Sequence, residues 1–274
     1  MAEITYQSPT ERVETWLDET TLHIRFNNPA RHNALSVEMW EAIPALLAFA
    51  EQDERVRLVV FSGAGEKAFV SGADISQFED MRAAREAVAR YEVIAEAALM
   101  GIYHFSKPTL ACIRGYCVGG GNEIHLFSDL SIASEDAQFG QTGPRVGSIP
   151  IWGACQLLAR YVGERKAREM VFGCRLYSAQ QALEMGLINE VWKPEALDKA
   201  VDDWCQDILN KSPQSIRIAK LALNAGSDQE FYPSFFPAGA LLASIYGNDE
   251  NMEGIRAFLE KRKPDFRGFR RKGS

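Results

Sequence analysis

The stretch KPTLACIRGYCVGGGNEIHLFSDLSIASEDAQFGQTGPRVG, residues 107–147, decides the fold of this chain. A β-rich run at residues 109–114 leads to three consecutive glycines, and a predicted helix (122–128) and a second strand-like run (130–133) follow. Glycines that end a strand and open a helix expose N–H groups at the positive end of the helix dipole. We therefore predict a strand that delivers backbone N–H groups, and the carboxylate of Glu123, to a pocket.

The totals restrict the class of protein. The chain has 274 residues, 46% of them hydrophobic and 24% charged, as in an ordinary globular protein. A net charge of -7 disfavours general binding of nucleic acid, although a local basic patch can still bind a small anion. The start of the chain lacks a signal-peptide pattern, and no apolar run reaches the roughly 20 residues that span a bilayer. We therefore expect a cytoplasmic protein that does not enter membranes.

The cysteines and histidines do not form a recognisable site pattern. Five scattered cysteines without CxxC or His spacing argue against a disulfide framework and against a zinc site. We expect reduced, buried thiols and no metal.

Outward from the opening stretch, strands and helices alternate. A hairpin, a helix with Ser36 as its N-cap, a buried strand and a long helix are predicted, in that order, at residues 13–27, 36–50, 56–62 and 79–104. This order predicts an α/β core with right-handed crossovers. Beyond Gly153 the patterns are helical, at residues 154–161, 164–172, 178–185, 198–209, 215–225 and 251–261. We divide the chain into a core (1–205) and a helical C-terminal region (206–274).

The stretch AFVSGADI (68–75) is a second candidate for binding chemistry. Gly72 permits a sharp turn at the end of a strand, which would leave the N–H of Ala73 free for a ligand. The N–H groups of Ala73 and Gly120 would together form an oxyanion hole for an oxygen that develops negative charge. The alternatives are a simple strand-ending turn here and a tightly packed turn at the triple glycine. The triple glycine lacks the GxGxxG spacing of a dinucleotide site.

Glu123 falls in the first turn of the helix that follows the glycines. Burial would raise the pKa of Glu123, whereas the helix dipole and hydrogen bonds would lower it. In either case the carboxyl group could exchange a proton with a ligand held by the two N–H groups. A surface role that complements the helix dipole is the alternative.

These motifs, in this order, resemble the crotonase (enoyl-CoA hydratase/isomerase) superfamily. The similarity covers about residues 12–267 and is carried by HNALSVEM, AFVSGADI, IRGYCVGGGNEI, FGQTGPRVGSIP, GCRLYSAQQALEMGLINEV and KSPQSIRIAKLALN. It implies an α/β spiral of ββα units with a helical C-terminal trimerisation region. It also implies an acyl-CoA substrate and a homotrimer or a hexamer made of two trimers.

The resemblance also assigns roles to residues. Ala73 and Gly120 would stabilise a thioester enolate, and Glu123 would be the acid/base group. Substrate contacts are expected at Arg31, Ala34, Ser71, Gly72, Asp74, Ile75, Tyr116, Gly119, Thr142 and Gly143. Coenzyme A would be part of the substrate, with no separate cofactor. Trp152 and the aromatic residues of 231–236 would wall the acyl pocket or pack between subunits, and the basic residues 261–263 would reach the phosphates of a neighbouring subunit or only aid solubility.

Gly143 departs from the pattern of the family's hydratases. Those enzymes use a second glutamate two residues after FGQ, and this chain has no Asp or Glu between Asp136 and Glu164. One carboxylate would then serve both roles, or Tyr116, Glu79, an ordered anion or a neighbouring subunit would supply the second group. Gly143 could equally be a turn residue ahead of Pro144.

Two segments, FGQTGPRVGS and FLEKRKPDFRGF, look most like the 1,4-dihydroxynaphthoyl-CoA synthase branch, in which the glycine makes room for a bicarbonate base. This chain departs from that branch, because it has Pro150 in place of an Asp, it retains Glu123, and it carries SGAD instead of SGGD. Hydration of a 2-enoyl-CoA is the first hypothesis. Double-bond isomerisation, bicarbonate-assisted C–C chemistry and non-catalytic CoA binding are the alternatives.

Overall fold

The computed structural model of the chain describes residues 7–74, 85–150, 153–235 and 247–266. Its strands are β1 (Val13–Asp18), β2 (Thr21–Phe26), β3 (Leu58–Gly63), β4 (Ala68–Val70), β5 (Thr109–Ile113), β6 (Tyr116–Val118), β7 (Leu130–Ser134), β8 (Gln138–Gly140), β9 (Tyr177–Ser178) and β10 (Glu190–Trp192). Its helices are α1 (Val37–Gln52), α2 (Arg85–His104), α3 (Gly120–Phe127), α4 (Ala154–Val162), α5 (Glu164–Gly173), α6 (Ala179–Glu184), α7 (Leu197–Leu209), α8 (Pro213–Phe235) and α9 (Asp249–Leu259).

The larger sheet has six strands in the order β1-β2-β3-β5-β7-β10. The predicted hairpin is confirmed, because β1 and β2 pair antiparallel with Val13 opposite Phe26. The other neighbouring strands of this sheet pair in parallel. The mixed α/β class predicted from the alternating pattern is therefore confirmed.

Strand β3 shows why its sequence is apolar throughout. Val59 and Phe61 belong to the main core, whereas Leu58 and Val60 pack in a second cluster with residues of α7. Successive side chains of a strand point to opposite faces of the sheet. This strand is therefore covered on both faces, as its sequence predicted.

Helix α1 follows Ser36, which is the N-cap residue as predicted. Its hydroxyl donates to Glu38 Oε2 at 2.9 Å and does not accept a helix N–H. Pro44 lies inside this helix. The apolar face of α1 is buried, and the first large aromatic side chain on it is Trp40.

A second sheet, which the sequence patterns did not predict, has the order β4-β6-β8-β9. Strands β4, β6 and β8 are parallel neighbours, so their carboxyl ends lie along one edge. Each of the three strands runs directly into one of the motifs quoted above. This short sheet therefore places the loops that follow AFV, YCV and QFG side by side.

Two glycines allow α3 to start against the end of β4. A Cβ on Gly121 would lie 2.2 Å from the Val70 carbonyl oxygen, which no side chain tolerates. Gly119 has φ of +56°, and a Cβ there would lie 3.4 Å from Gly72 Cα. The triple glycine therefore permits a close backbone approach, in addition to any role in binding.

The C-terminal helices pack on the core through a buried charge. Lys220 of α8 donates to Asp129 Oδ2 at 2.7 Å and to the Lys107 carbonyl at 3.1 Å. The division expected at residue 205 falls inside α7. The assignment of two separate regions stays a prediction.

Two further expectations concern the membrane and the cysteines. Within the described ranges, no helix combines the length and the apolar composition needed to cross a bilayer. All five cysteines are free thiols, and four are buried as expected. Cys155, in the first turn of α4, is exposed instead, and its thiol donates to the Pro150 carbonyl at 3.0 Å.

Candidate active site

A cavity of about 430 Å³ lies where the loops after β4, β6 and β8 meet. Most residues predicted for the site line it, namely Arg31, Ala34, Ser71, Gly72, Ala73, Asp74, Gly119, Gly120, Glu123, Thr142 and Gly143. Tyr116 is not among the lining residues of the described ranges; it is 40% exposed and its ring stacks on His32. The fold thus collects motifs that are about a hundred residues apart in sequence.

Some residues predicted for the site fall outside the part of the chain that the structure describes. Ile75, Glu79, Trp152 and Phe236 lie outside the described residues, as do the side chains of Phe231, Tyr232 and Phe235.

The backbone around Ala73 is held by a bridge to Leu35. The Leu35 N–H donates to the Gly72 carbonyl, and the Asp74 N–H donates to the Leu35 carbonyl, both at 2.8 Å. These bonds use the residues on either side of Ala73 and not its own N–H. The geometry is compatible with an Ala73 N–H that serves a ligand.

The second candidate donor is Gly120, the first residue of α3. The N–H groups of a first helical turn have no carbonyl partner within the helix. The neighbouring Gly119 N–H is engaged, because it donates to the Gly140 carbonyl at 3.0 Å. Since Gly72 and Gly119 pack directly on each other, the segments that carry Ala73 and Gly120 lie side by side at the cavity.

Glu123 is the acid of this cavity. It sits in the first turn of α3 and is only 5% exposed. Burial raises the pKa of Glu123 to about 8, because desolvation disfavours the charged carboxylate. Near neutral pH the carboxyl group can therefore both take up and release a proton.

The other carboxylate on the described lining, Asp74, is held by an arginine. Arg31 Nη1 donates to both oxygens of Asp74 at 2.9 Å. The Asp74 side chain is buried, whereas the Arg31 side chain is 56% exposed. Asp74 therefore fixes the Arg31 guanidinium at the rim of the cavity.

Gly143 opens a 3-10 turn, Gly143–Val146, in the loop after β8. The Ser148 N–H donates to the Gly143 carbonyl at 2.9 Å. A Cβ on Gly143 would lie 3.2 Å from the Ser148 carbonyl oxygen and 3.6 Å from the Ile149 carbonyl carbon. A side chain at this position would start toward protein backbone, which fits the role of a turn residue.

A buried hydrogen-bond chain lies beside the acid. His125 Nε2 is 3.1 Å from Asn122 Oδ1, and its Nδ1 is 3.1 Å from Ser131 Oγ. Burial lowers the pKa of His125 to about 3, so the ring is neutral. These hydrogen bonds connect α3 to β7 and so stabilise the helix that carries Glu123.

Sequence reasoning missed several lining residues. They are Trp40, Tyr91, Gln141, Arg145, Val146, Ser148, Ile149, Pro150, Phe258 and Leu259. Gln141 and its neighbours lie inside a quoted motif and could have been proposed from it. Trp40 occupies an apolar position of α1 and is indistinguishable in sequence from a core residue.

An α/β protein with this order of motifs around one cavity has the crotonase fold. The chain belongs to the enoyl-CoA hydratase/isomerase family, whose model matches residues 17–270.

Solved structures agree with this assignment. An enoyl-CoA hydratase/isomerase family protein from Hyphomonas neptunium is 33% identical, with a TM-score of 0.77 over 95% of this chain and 99% of that one. An enoyl-CoA hydratase from Bacillus anthracis is 28% identical, with a TM-score of 0.76 over 94% and 100% of the two chains. An enoyl-CoA hydratase/carnithine racemase from Magnetospirillum magneticum is 27% identical, with a TM-score of 0.78 over 95% and 97%.

Proposed function

We propose that this protein reversibly hydrates a 2-enoyl-CoA, with Glu123 as its acid/base group. The observation that carries the proposal is a buried carboxyl group, with its pKa raised to about 8, in a cavity next to the Ala73 and Gly120 segments. Family membership and the hydratases among the similar structures support the substrate class. Coenzyme A is part of this substrate, and the reaction needs no separate cofactor.

One carboxylate is sufficient for the proton transfers of hydration. The Glu123 carboxylate takes a proton from water while the water oxygen bonds to C3 of the enoyl group. The electron pair of the double bond moves to the thioester oxygen, where the Ala73 and Gly120 N–H groups stabilise the enolate. Glu123 then returns its proton to C2, and the enolate collapses to the 3-hydroxyacyl thioester.

Double-bond isomerisation is the second candidate. It passes through a thioester dienolate, which the same two N–H groups would stabilise, and it moves a proton from one carbon to another, so it needs one carboxylate and no bound water. The described lining favours it in one respect, because Asp74 is engaged by Arg31 and Glu123 is the other acid. Similarity to the 1,4-dihydroxynaphthoyl-CoA synthase branch and a bicarbonate base stay hypotheses. A side chain at position 143 would start toward the Ser148 backbone, and Gly143 itself lines the cavity.

The mass of the product tests these reactions directly. Purified protein is incubated with crotonyl-CoA and, separately, with a 3-enoyl-CoA, and the thioesters are analysed by mass spectrometry. Hydration adds the mass of one water to crotonyl-CoA, whereas isomerisation leaves the mass unchanged and creates the conjugated absorbance from the 3-enoyl-CoA. Binding without any conversion would leave a CoA-binding protein, and conversion only with added bicarbonate would support the synthase-like branch.

The rate should increase with pH up to about 8. Both candidate mechanisms begin with the Glu123 carboxylate, which must be deprotonated, and burial raises its pKa to about 8. We expect kcat/KM to rise about tenfold per pH unit below that value and to level off above it. A pH series of initial rates at constant ionic strength measures this. A profile that is flat between pH 6 and about 9 would contradict the role of Glu123 as the base.

Asp74→Asn should weaken binding of coenzyme A. Asparagine keeps one acceptor oxygen but loses the negative charge and the second acceptor, so the Arg31 guanidinium is held less firmly at the rim. We expect the Kd for coenzyme A, measured by calorimetry, to increase about tenfold. Arg31→Ala should have the same effect, and the double variant no more than either single one, because the two residues act as a unit. An unchanged Kd in both single variants would remove Arg31 from the CoA site.

The assembly is also part of the proposal. Helix α8 exposes Ile218, Leu221 and Leu223, although it packs on the core through Lys220. Three large apolar side chains on one exposed helix support burial against another copy of the chain. We propose a homotrimer or a hexamer made of two trimers, and the molar mass in solution, measured by light scattering, distinguishes these from a monomer.

A further inference from the structure

Two N–H donors in the wall of the cavity lack an acceptor within the described part of the chain. They are Trp40 Nε1 and Gln141 Nε2. Both residues line the cavity, and both are only 1% exposed. The described part of the chain offers these buried donors no acceptor, which is uncommon because an unsatisfied buried donor carries its full desolvation penalty. The acceptor should therefore come from outside the polypeptide, and a group bound in the cavity is one source of it.

The two donors come from different elements that meet at the site. A Cβ on Gly120 would lie 3.1 Å from Trp40 Cζ2, an atom only two covalent bonds away from the indole nitrogen. Trp40 therefore stands directly beside the proposed oxyanion segment. Gln141 follows β8 and precedes Thr142 and Gly143, on the loop where family hydratases have their second acid. The donors are placed to contact the acyl part of a thioester, and not its nucleotide.

We propose that the cavity selects an acyl group that carries a hydroxyl or oxo oxygen in addition to the thioester oxygen. Trp40 and Gln141 are then specificity-determining residues that donate hydrogen bonds to this oxygen. The inference rests on the proposed acyl-CoA function. A hydrocarbon chain leaves both donors unpaired and an ammonium group repels them, whereas an oxygen acceptor satisfies them.

Contact requires a small adjustment, because both nitrogen atoms are covered by neighbouring atoms. The terminal amide torsion of glutamine has a broad profile, so Gln141 can turn toward a bound oxygen at low cost. Side chains at binding surfaces commonly change rotamer when a partner binds. A tilt of the Trp40 ring would accompany the same step.

An ordered water is the other source of an acceptor oxygen, since buried waters commonly satisfy such groups. The two sources make different predictions. A resident water satisfies the donors whichever acyl group is bound, so loss of a donor affects all thioesters alike. An acyl oxygen makes the effect depend on the substituent.

Calorimetric binding separates the two sources without turnover. Glu123→Gln protein is titrated with butyryl-CoA and with its 3-hydroxy, 4-hydroxy and 3-oxo derivatives. We expect at least one oxygenated thioester to bind about tenfold more tightly than butyryl-CoA. Adding Trp40→Phe, which keeps an aromatic ring but removes the N–H, should reduce this preference to near parity, and so should Gln141→Met. Trp16→Phe, at a tryptophan on β1 that is 38% exposed, is the control and should leave it unchanged.

Three results would overturn the proposal. The first is the lack of any preference for an oxygenated thioester before the donors are removed. The second is a preference that survives both substitutions. The third is an equal loss of affinity for all four thioesters, which indicates a resident water or a packing role. If the melting curve shows that Trp40→Phe does not fold, the Gln141→Met variant alone tests whether the preference for an oxygenated thioester depends on a donor. A donor-dependent preference in a protein that converts no enoyl-CoA would refute the hydratase but not this inference.

Discussion

Glu123→Gln is expected to lower kcat by about a thousandfold, with a small change in KM. Glutamine preserves the size of the side chain and its polar contacts but cannot accept or release the proton that either candidate reaction transfers. General acid–base catalysis typically contributes factors of about 10² to 10⁴. Of the two carboxyl groups on the described lining, Asp74 is bound by Arg31 and Glu123 is the one available for proton transfer. The decrease in kcat on Glu123→Gln should therefore lie near the middle of that range.

The measurement is kcat and KM for the enoyl-CoA that the product-mass experiment identifies. Glu164→Gln is the matched control, because Glu164 also sits in the first turn of a helix but is exposed, on α5. This control should retain the parent's rates. A Glu123→Gln protein with undiminished kcat would show that Glu123 is not the acid/base group.

The same substitution is expected to stabilise the folded protein, most strongly at pH 8 and above. The pKa of Glu123 is raised from 4.5 to about 8 by burial, so the folded state binds its proton more tightly than the unfolded state. Below pH 4.5 both states are protonated and the folded protein is not penalised. The free energy of unfolding then decreases as pH rises from 4.5 to about 8, and the penalty is constant above that value.

The difference between a pKa of 4.5 and one of about 8 corresponds to a penalty of roughly 5 kcal/mol at pH 8. Glutamine is neutral at every pH and removes this penalty, although its buried amide keeps part of the desolvation cost. We expect Glu123→Gln to increase the free energy of unfolding by about 2–4 kcal/mol at pH 8 and by almost nothing at pH 4. Urea unfolding at both pH values measures this.

Glu164→Gln again serves as the control and should show no comparable pH-dependent gain. Equal stability of the parent and Glu123→Gln proteins at pH 8 would mean that the carboxyl group is not desolvated in solution. If both predictions hold, the chain retains an acid that lowers its stability, which is typical of a site maintained for activity.

The elements predicted from sequence are those specified by local patterns. Alternation placed β1 and β2, helical spacing placed α1, and a continuous apolar run placed β3. These patterns depend on neighbours in the chain, so one sequence is sufficient to read them. The motif order also identified the family and about half of the residues that line the cavity.

The second sheet could not be predicted in this way. Strands β4, β6 and β8 have three residues each, which is too short for a period of two to be recognised. They are strands because they pair with one another across long sequence separations. That pairing places the glycines after β6 next to the end of β4. It also places the loop that contains Gln141, after β8, next to the end of β6.

For the opening stretch, the sequence alone determined that glycines, a helix start and Glu123 would follow a strand, because turn and helix chemistry is local. The tertiary structure alone decided the chemical state of that acid. Burial raises the pKa of Glu123 to about 8, and the packing around α3 produces that burial. The packing also decided that a side chain at position 143 would start toward the Ser148 backbone, and that Trp40, an ordinary core residue by its spacing, has a buried donor beside Gly120. These properties depend on which distant atoms surround a residue, and the local sequence does not contain that information.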